Sequence, residues 1–212
     1  MVGLRSARTG DGADAMDVAR VSIDLVSVSK AQRVVLVEGG SDKAAVEVVA
    51  GRRDQVLGGA GIHVVAMGGA TSIGHFLALL GRRGINARLT GLCDAGQEGY
   101  VRWALGQGGF GSITSRAGME ARGFYVCTAD LEDELIRAVG TVAVEQIIQG
   151  HGELRSLRVF QRQPAQRRQT AGEQLHRFMG TRSGRKSQYA RLLAQALDLA
   201  QTPRPLDRVL AH

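Results

Sequence analysis

Four short apolar runs alternate with helical patterns along the first two thirds of the chain. Each run is followed by a turn that contains glycine or aspartate, and they span residues 33–37, 62–67, 88–93 and 123–127. Runs of this length are typical of a buried parallel sheet, in which each strand is connected to the next through a helix. The alternation therefore predicts an α/β fold, with a parallel sheet of about four strands flanked by helices.

Helical patterns fill the spaces between these strands and the whole C-terminal part. Before and between the strands, helices are predicted over 14–28, 43–50, 73–83, 97–105 and 131–139. After Gly140 no strand pattern remains, and helices are predicted over 142–149, 154–161, 165–179, 186–200 and 206–210. We therefore divide the chain into an N-terminal tail and helix (1–29), an α/β domain (30–140) and an all-helical lobe (141–212).

The composition excludes several classes of protein. The chain has 212 residues, of which 44% are hydrophobic, but no apolar run approaches the ~20 residues that a membrane helix needs. The N-terminal segment is charged and lacks the apolar stretch of a secretion signal. Cys93 and Cys127 cannot form a disulfide framework and lack the spacing of a zinc site. We expect a cytoplasmic protein that does not contact membranes.

The net charge of +7 lies entirely in the helical lobe. Residues 1–150 contain 15 basic and 16 acidic residues, whereas residues 151–212 contain 12 and 4. A concentrated basic lobe suits a polyanion such as a nucleic acid. An arginine bias of genomic origin is the alternative, since 24 of the 27 basic residues are arginines. The candidate phosphate contacts are Arg167, Arg168, Arg182, Arg185 and Lys186.

Acidic residues follow three of the four predicted strands. Glu38 and Asp42 come after the first strand, Asp94 after the third, and Asp130 and Glu132 after the fourth. Because the carboxyl ends of parallel strands meet at one edge of a sheet, these side chains are expected to converge there. Converging carboxylates suit a hard cation such as Mg²⁺ or Mn²⁺. The alternative is that each aspartate only caps the helix that follows it.

Other common chemistries lack their motifs. The glycine pairs at 39–40 and 68–69 do not belong to a phosphate-binding GxxxxGK[ST] loop, and no GxGxxG follows the first strand. The five histidines are scattered, and we interpret them as core or surface residues rather than catalysts. The two cysteines are interpreted as small buried hydrophobic residues.

The segment Val34-Val-Leu-Val-Glu-Gly-Gly-Ser-Asp42, together with a strand that ends in Asp94, resembles the Toprim domain of topoisomerases, primases and related nucleases. Within that superfamily the chain most resembles the Toprim module of overcoming-lysogenisation-defect (OLD) nucleases. The supporting segments are Met67-Gly-Gly69, Asp130-Leu-Glu-Asp-Glu-Leu135 and Gly184-Arg-Lys-Ser-Gln-Tyr-Ala190. The resemblance covers about residues 30–210 and implies a Toprim, Rossmann-like sheet.

The resemblance also implies a role for each acidic residue. Glu38 would bind metal or act as an acid/base catalyst, and Asp42 would assist it. Asp94 would be the first acid of the family's DxD pair, while Asp130 and Glu132 would complete the cation site. The metal ions of such a site activate a water and stabilise an in-line displacement at phosphorus.

Two further positions bear on this chemistry. Lys186 resembles a family lysine that neutralises charge on the scissile phosphate. The second aspartate of the DxD pair is absent, because the segment reads Asp94-Ala95-Gly96. Glu98, two residues further on, is the candidate replacement as a metal ligand. The number of metal ions, one or two, therefore stays open.

The leading hypothesis is a Mg²⁺- or Mn²⁺-dependent nuclease that cleaves DNA, with the basic lobe holding the strand. One alternative is a catalytically weak Toprim scaffold that binds nucleic acid or a protein partner. Another is a Toprim ribonuclease acting on structured RNA. The ATPase module of OLD nucleases is not among the 212 residues, so we expect either a standalone nuclease, which could be a homo-oligomer, or a subunit that needs a partner. With only 4% aromatic residues, binding should be directed at phosphates and depend strongly on salt.

Overall fold

The computed structural model describes residues 28–82, 84–182 and 184–212. The N-terminal tail and nearly all of the helix predicted over 14–28 lie outside the described residues. No helix among the described residues is both long and apolar enough to cross a bilayer.

A four-stranded parallel sheet forms the centre of the molecule. Its strands are β1 (Arg33–Val37), β2 (Ile62–Ala66), β3 (Leu89–Cys93) and β4 (Phe124–Val126). Their order is β2-β1-β3-β4, and every neighbouring pair is parallel. The predicted fold class is confirmed, and each strand lies within a residue or two of its predicted bounds.

Ten α-helices surround the sheet in the described part of the chain. Those of the α/β half are α1 (Gly40–Arg52), α2 (Ile73–Leu80), α3 (Glu98–Leu105), α4 (Arg116–Glu120) and α5 (Leu131–Val139). Those of the C-terminal part are α6 (Thr141–Gly150), α7 (Leu154–Gln161), α8 (Ala171–Met179), α9 (Arg185–Ala196) and α10 (Arg204–Ala211). Short 3-10 turns occupy Ala70–Ser72, Ala95–Gln97 and Leu199–Gln201, and a π-helical turn occupies Gly106–Phe110.

Four helices differ from their predicted bounds by three residues or more. Helix α1 begins at Gly40 rather than at 43, and the Asp42 carboxylate accepts the Gly39 N–H at 2.8 Å. Helix α2 ends at Leu80 rather than at 83. Helix α8 begins at Ala171 rather than at 165, because Thr170 and Glu173 form a reciprocal capping box there. Helix α9 ends at Ala196 rather than at 200. The short helix α4 was not predicted; the Ser115 hydroxyl caps it by accepting the Gly118 N–H.

The sheet buries both of its faces. Along β1 the side chains alternate, so that Val35 and Val37 belong to one hydrophobic cluster and Val34 and Leu36 to the other. The cluster around Val34 and Leu36 is covered by α2 and α3.

The C-terminal helices complete the opposite face. The cluster that contains Val35 and Val37 also contains Tyr189 and Leu193 of α9 and Leu206 of α10. After residue 140 the described chain contains helices and no strand, and these helices share a hydrophobic cluster with one face of the sheet. This packing places the first turn of α9 beside the loop that follows β1.

Candidate metal centre

The loop after β1 supplies two acids. Asp42 lies in the first turn of α1 and is 9% exposed. Glu38 directly follows β1, and its backbone carbonyl accepts the Gly69 N–H at 3.1 Å, which joins the loops after β1 and β2. The Oε2 atom of Glu38 is buried and has no hydrogen-bond partner among the described residues. A buried carboxylate oxygen without a partner is costly unless a cation binds it.

Asp94 follows β3 at the same edge. The Ala95 N–H donates to the Ala129 carbonyl at 3.0 Å, which joins the loop after β3 to the loop after β4. Asp94 precedes a 3-10 turn, but its side chain makes no capping hydrogen bond. The interpretation of Asp94 as a helix cap is therefore not supported by a cap contact.

Asp130 and Glu132 stand at the start of α5. Asp130 does cap this helix, because its Oδ1 accepts the Asp133 N–H at 2.8 Å. Its second oxygen, Oδ2, lies 2.6 Å from His176 Nε2. Glu132 is 2% exposed, and its Oε2 has no hydrogen-bond partner in the described part of the chain.

His176 and Lys186 reach this cluster from the C-terminal helices. Asp130, Glu132 and His176 each present one ligand atom, and these atoms lie within 4.8 Å of one another. The Lys186 Nζ lies 3.1 Å from Glu132 Oε1. The α/β half and the helical part therefore build one site together.

The negative charges at this edge of the sheet act on one another. The pKa of Asp94 is raised to about 7 by burial and by the negative charges of the other four acids, Asp42, Glu38, Asp130 and Glu132. Crowded, half-desolvated carboxylates resist ionisation. A bound cation would favour the ionised form of these carboxylates and lower their pKa values.

Asp42 behaves in the same way. Its pKa is raised to about 6, first by burial and then by the charge of Glu132, while the hydrogen bond from Gly39 and the charge of Lys186 act against this shift. When no cation is bound, Asp94 is therefore only partly ionised at neutral pH, and Asp42 becomes mostly protonated below about pH 6.

Asp130 is the exception among the acids. Burial alone would raise its pKa, but the hydrogen bonds from His176 and from the Asp133 N–H lower it. The same bond to Asp130 raises the pKa of His176. Lys186 is partly desolvated, yet the charges of Glu132 and Asp130 raise its pKa, so it is protonated at neutral pH.

The donor set fits a hard divalent cation. It consists of carboxylate oxygens, two of which are buried without a partner, and one imidazole nitrogen. Oxygen donors are those that Mg²⁺ prefers, and a single imidazole is compatible with Mn²⁺. Glu38, Asp42, Asp94, Asp130 and Glu132 could hold such an ion.

Glu98 has other partners. Its Oε2 accepts hydrogen bonds from Arg116 at 2.7 and 3.1 Å, and its Oε1 lies 3.6 Å from Arg102. To replace the missing second aspartate it would have to give up these ion pairs. We therefore leave Glu98 outside the cation site.

The predicted nucleic-acid contacts differ in their surroundings. Arg167 and Arg168 are exposed, and Arg182 has a side chain that is 67% exposed. Arg185 is 5% exposed and donates to Glu153 at 2.7 Å. Because its guanidinium is buried and paired, we leave Arg185 out of the phosphate-binding surface.

Sequence reasoning missed His176. Its contact with Asp130 spans 46 residues and joins α8 to the start of α5. Nothing in the sequence around His176 indicates this contact, because it depends on how the C-terminal helices pack against the sheet.

Part of the chain matches the model of a known family. Residues 31–94 match the family described as overcoming lysogenization defect protein-like, TOPRIM domain. A search of curated proteins finds no match for this sequence.

Solved structures share the fold over most of the chain. The C-terminal region of the Burkholderia pseudomallei OLD protein is 18% identical, with a TM-score of 0.63, over 85% of this chain and 96% of that one. The C-terminal region of the Xanthomonas campestris pv. campestris OLD protein is 22% identical, with a TM-score of 0.66, over 86% of this chain and 91% of that one. Residues 31–94 therefore carry an OLD-like Toprim domain, within a chain that has the fold of the C-terminal region of OLD proteins.

Proposed function

We propose that this protein is a Mg²⁺- or Mn²⁺-dependent nuclease that cleaves DNA phosphodiester bonds at the acidic edge of its sheet. The observation that carries the proposal is that acids follow β1, β3 and β4 at one edge of the sheet, where ligand atoms of Asp130, Glu132 and His176 lie within 4.8 Å of one another and Lys186 lies beside Glu132. Among the described residues, Oε2 of Glu38 and Oε2 of Glu132 are buried and have no hydrogen-bond partner. A bound cation would compensate the negative charge of these oxygens.

The five acids would hold the cation. When bound, Mg²⁺ or Mn²⁺ lowers the pKa of water and stabilises the charge of an in-line displacement at phosphorus. Glu38 would accept a proton from the attacking water; the buried Oε2 atom, which has no hydrogen-bond partner in the described chain, supports this role. His176 holds the Asp130 carboxylate in a fixed orientation.

Lys186 would act on the phosphate. Its side chain is 48% exposed, so the ammonium can contact a substrate while it remains beside Glu132. A positive charge at this point would compensate the charge that develops on the phosphate oxygens in the transition state.

The exposed arginines of the helical lobe would hold the substrate backbone. Arg167, Arg168 and Arg182 are solvent-accessible, and contacts of this kind neutralise phosphates without reading sequence. The proposal names DNA as the substrate. RNA shares the phosphate chemistry and serves as the comparison substrate in the test.

A catalytically weak scaffold is the second candidate. It is favoured by Gly96 at the second position of the DxD pair and by the arginine partners of Glu98. A scaffold would bind nucleic acid or a protein partner without cleaving.

A nicking assay on supercoiled plasmid tests the proposal. The wild-type protein should convert the plasmid to open-circular or linear DNA with Mg²⁺ or Mn²⁺ and not with EDTA. Glu38→Gln should abolish this conversion. Glu47→Gln is the matched control, because Glu47 lies on α1 and, among the described residues, pairs only with Lys43, at 3.7 Å. Cleavage that persists in Glu38→Gln contradicts the assigned mechanism, and a structured RNA cleaved faster than the plasmid contradicts the assigned substrate.

A further inference from the structure

A pocket of about 390 Å³ lies in the C-terminal helices, on a side of the molecule that the proposed reaction does not use. This volume is within the range of about 300–1,000 Å³ that is usual for small-ligand sites. Its walls come from α7, α8 and the start of α9. They include Arg155, Val159, Phe160, Phe178, Arg182 and Arg185. None of the described lining residues is acidic.

Arg185 forms a rigid, positively charged wall of the pocket. Its Nη1 donates to Thr181 Oγ1 at 2.6 Å and to the Phe178 carbonyl at 3.2 Å. Its Nη2 donates to Glu153 at 2.7 Å, and its guanidinium carbon lies 4.3 Å from the centroid of the Phe178 ring. This guanidinium is fixed in place before any ligand arrives, which lowers the entropic cost of binding.

Among the described residues, two further arginines of the pocket are unpaired or weakly paired. Arg155 is exposed and has neither an ion pair nor a hydrogen bond within the described residues. Arg182 is 67% exposed, and its distance of 3.8 Å from Glu153 makes a weak ion pair. The Glu153 carboxylate already accepts hydrogen bonds from Arg185 and Tyr189. The pocket is therefore lined by three guanidinium groups, of which two share the Glu153 carboxylate, and the excess positive charge favours an anionic ligand.

One wall of the pocket is apolar. Val159 is 58% exposed although it is hydrophobic, and Phe160 is half-buried with its ring 5.8 Å from that of Phe178. An anion alone would leave this wall in contact with water. A ligand with a planar apolar part joined to an anionic part would cover the apolar wall and also pair with the arginines. Nucleotides combine these features.

The pocket and the metal centre lie on different sides of helices α8 and α9. Phe178 and His176 are two residues apart on α8, and therefore about 200° apart around the helix axis. His176 contacts Asp130, whereas Phe178 contacts Arg185. A strand bound at the metal centre could continue around this pair of helices to the pocket.

We propose that the pocket binds one nucleotide of the substrate strand, outside the position that is cleaved. Arg155 and Arg182 contact its phosphate, and Val159 and Phe160 pack against its base. This inference rests on the proposed function for the identity of the strand. The pocket contributes affinity and positions the strand, while the acidic edge performs the cleavage.

The test measures binding without cleavage. The anisotropy of a fluorescein-labelled oligonucleotide is titrated with protein in EDTA, for the wild type and for Arg155→Glu. Arg191→Glu is the control, because Arg191 is also exposed and partner-free within the described residues, but does not line the pocket. Fluorescently labelled adenosine monophosphate is titrated in parallel, to distinguish a free nucleotide from a nucleotide within a strand.

Arg155→Glu should weaken oligonucleotide binding by about tenfold or more and lower the salt slope by about one, whereas Arg191→Glu should do neither. Equal affinity of Arg155→Glu and the wild type overturns the proposal, and so does a wild type that binds no oligonucleotide. Tight binding of the mononucleotide that is lost in Arg155→Glu, with oligonucleotide binding unchanged, shows a free-nucleotide site and overturns the assignment to the strand. Because metal is absent, these results stand whether or not the plasmid is cleaved.

Discussion

The Nζ atom of Lys186 lies 3.1 Å from Oε1 of Glu132, which joins the first turn of α9 to the first turn of α5 at the acidic edge of the sheet. In the described part of the chain, Lys186 and His176 are the two basic side chains that form an ion pair with an acid of this cluster. The helical part of the chain therefore contributes directly to the charge of the metal centre.

Lys186→Met should impair cleavage more than metal binding. The substitution removes the charge that would face the phosphate, and we expect the single-turnover nicking rate to fall by about 100-fold or more. Metal affinity should be equal to or tighter than that of the wild type, because a competing cation has left the site. Wild-type nicking by Lys186→Met would show that the lysine has only a structural role.

Asp94→Asn should stabilise the metal-free protein while it removes metal binding. The pKa of Asp94 is raised to about 7, so ionisation of this residue destabilises the fold near neutral pH. For a chain of this size, about 1 kcal/mol of added stability raises the Tm by about 2–4 °C. Thermal unfolding in EDTA at pH 7.5 measures the change. An unchanged or lower Tm for Asp94→Asn would contradict the crowding of charges at this site.

The metal-free protein should lose stability between pH 5.5 and 7.5, and part of the loss should disappear in Asp94→Asn. The folded state binds more protons than the unfolded state in this range, because the pKa values of Asp42 and Asp94 are raised to about 6 and about 7. The raised pKa of His176 acts in the same direction, since its contribution is lost as the pH rises. The measured quantity is the slope of Tm against pH in EDTA. Equal slopes for the two proteins would contradict this account.

Arg185→Ala should unfold far more readily than Arg182→Ala. Arg185 is 5% exposed and bonded to Glu153, Thr181 and the Phe178 carbonyl. Because the Glu153 side chain is 24% exposed, water partly solvates its charge when Arg185 is removed, and we expect a loss of about 2–3 kcal/mol. Arg182 is 67% exposed and 3.8 Å from Glu153, so its loss should cost less than about 1 kcal/mol. Urea denaturation measures both variants, and similar midpoints would refute the distinction.

Exposed arginines of the helical lobe should make binding depend strongly on salt. Arg167→Glu combined with Arg168→Glu should weaken oligonucleotide binding and reduce the slope of log K against log salt by about two. The comparison is Arg82→Glu, since Arg82 is exposed just after α2 ends and lies near the amino edge of the sheet. A salt response that is flat, or equal losses in both variants, would contradict a basic binding surface in the lobe.

The sheet was predictable because its strands are short, apolar and buried on both faces, so each one is evident from the local sequence. The acids after β1, β3 and β4 were predictable for a related reason, since parallel strands bring their carboxyl ends to one edge. The residues at which the helices begin were harder to predict. The start of α8 is decided by the capping box of Thr170 and Glu173 rather than by the apolar pattern upstream.

The remainder of the site depends on packing between distant elements. His176 is bound to Asp130 and Arg185 to Glu153 because α8 and α9 pack where they do, and no local pattern fixes that arrangement. Arg185 and Lys186 are neighbours in sequence, yet one is buried in an ion pair and the other is half exposed at the acidic edge. Charge counting alone could not separate their roles.

Calorimetric titration of Mn²⁺ into the protein is the most direct test of the acidic edge as a metal centre. The wild type and the Glu47→Gln control should bind Mn²⁺ with equal affinity, and Glu38→Gln should bind it at least about tenfold more weakly. A wild type that binds no Mn²⁺, or a Glu38→Gln variant that binds it as tightly as the control, would contradict the account.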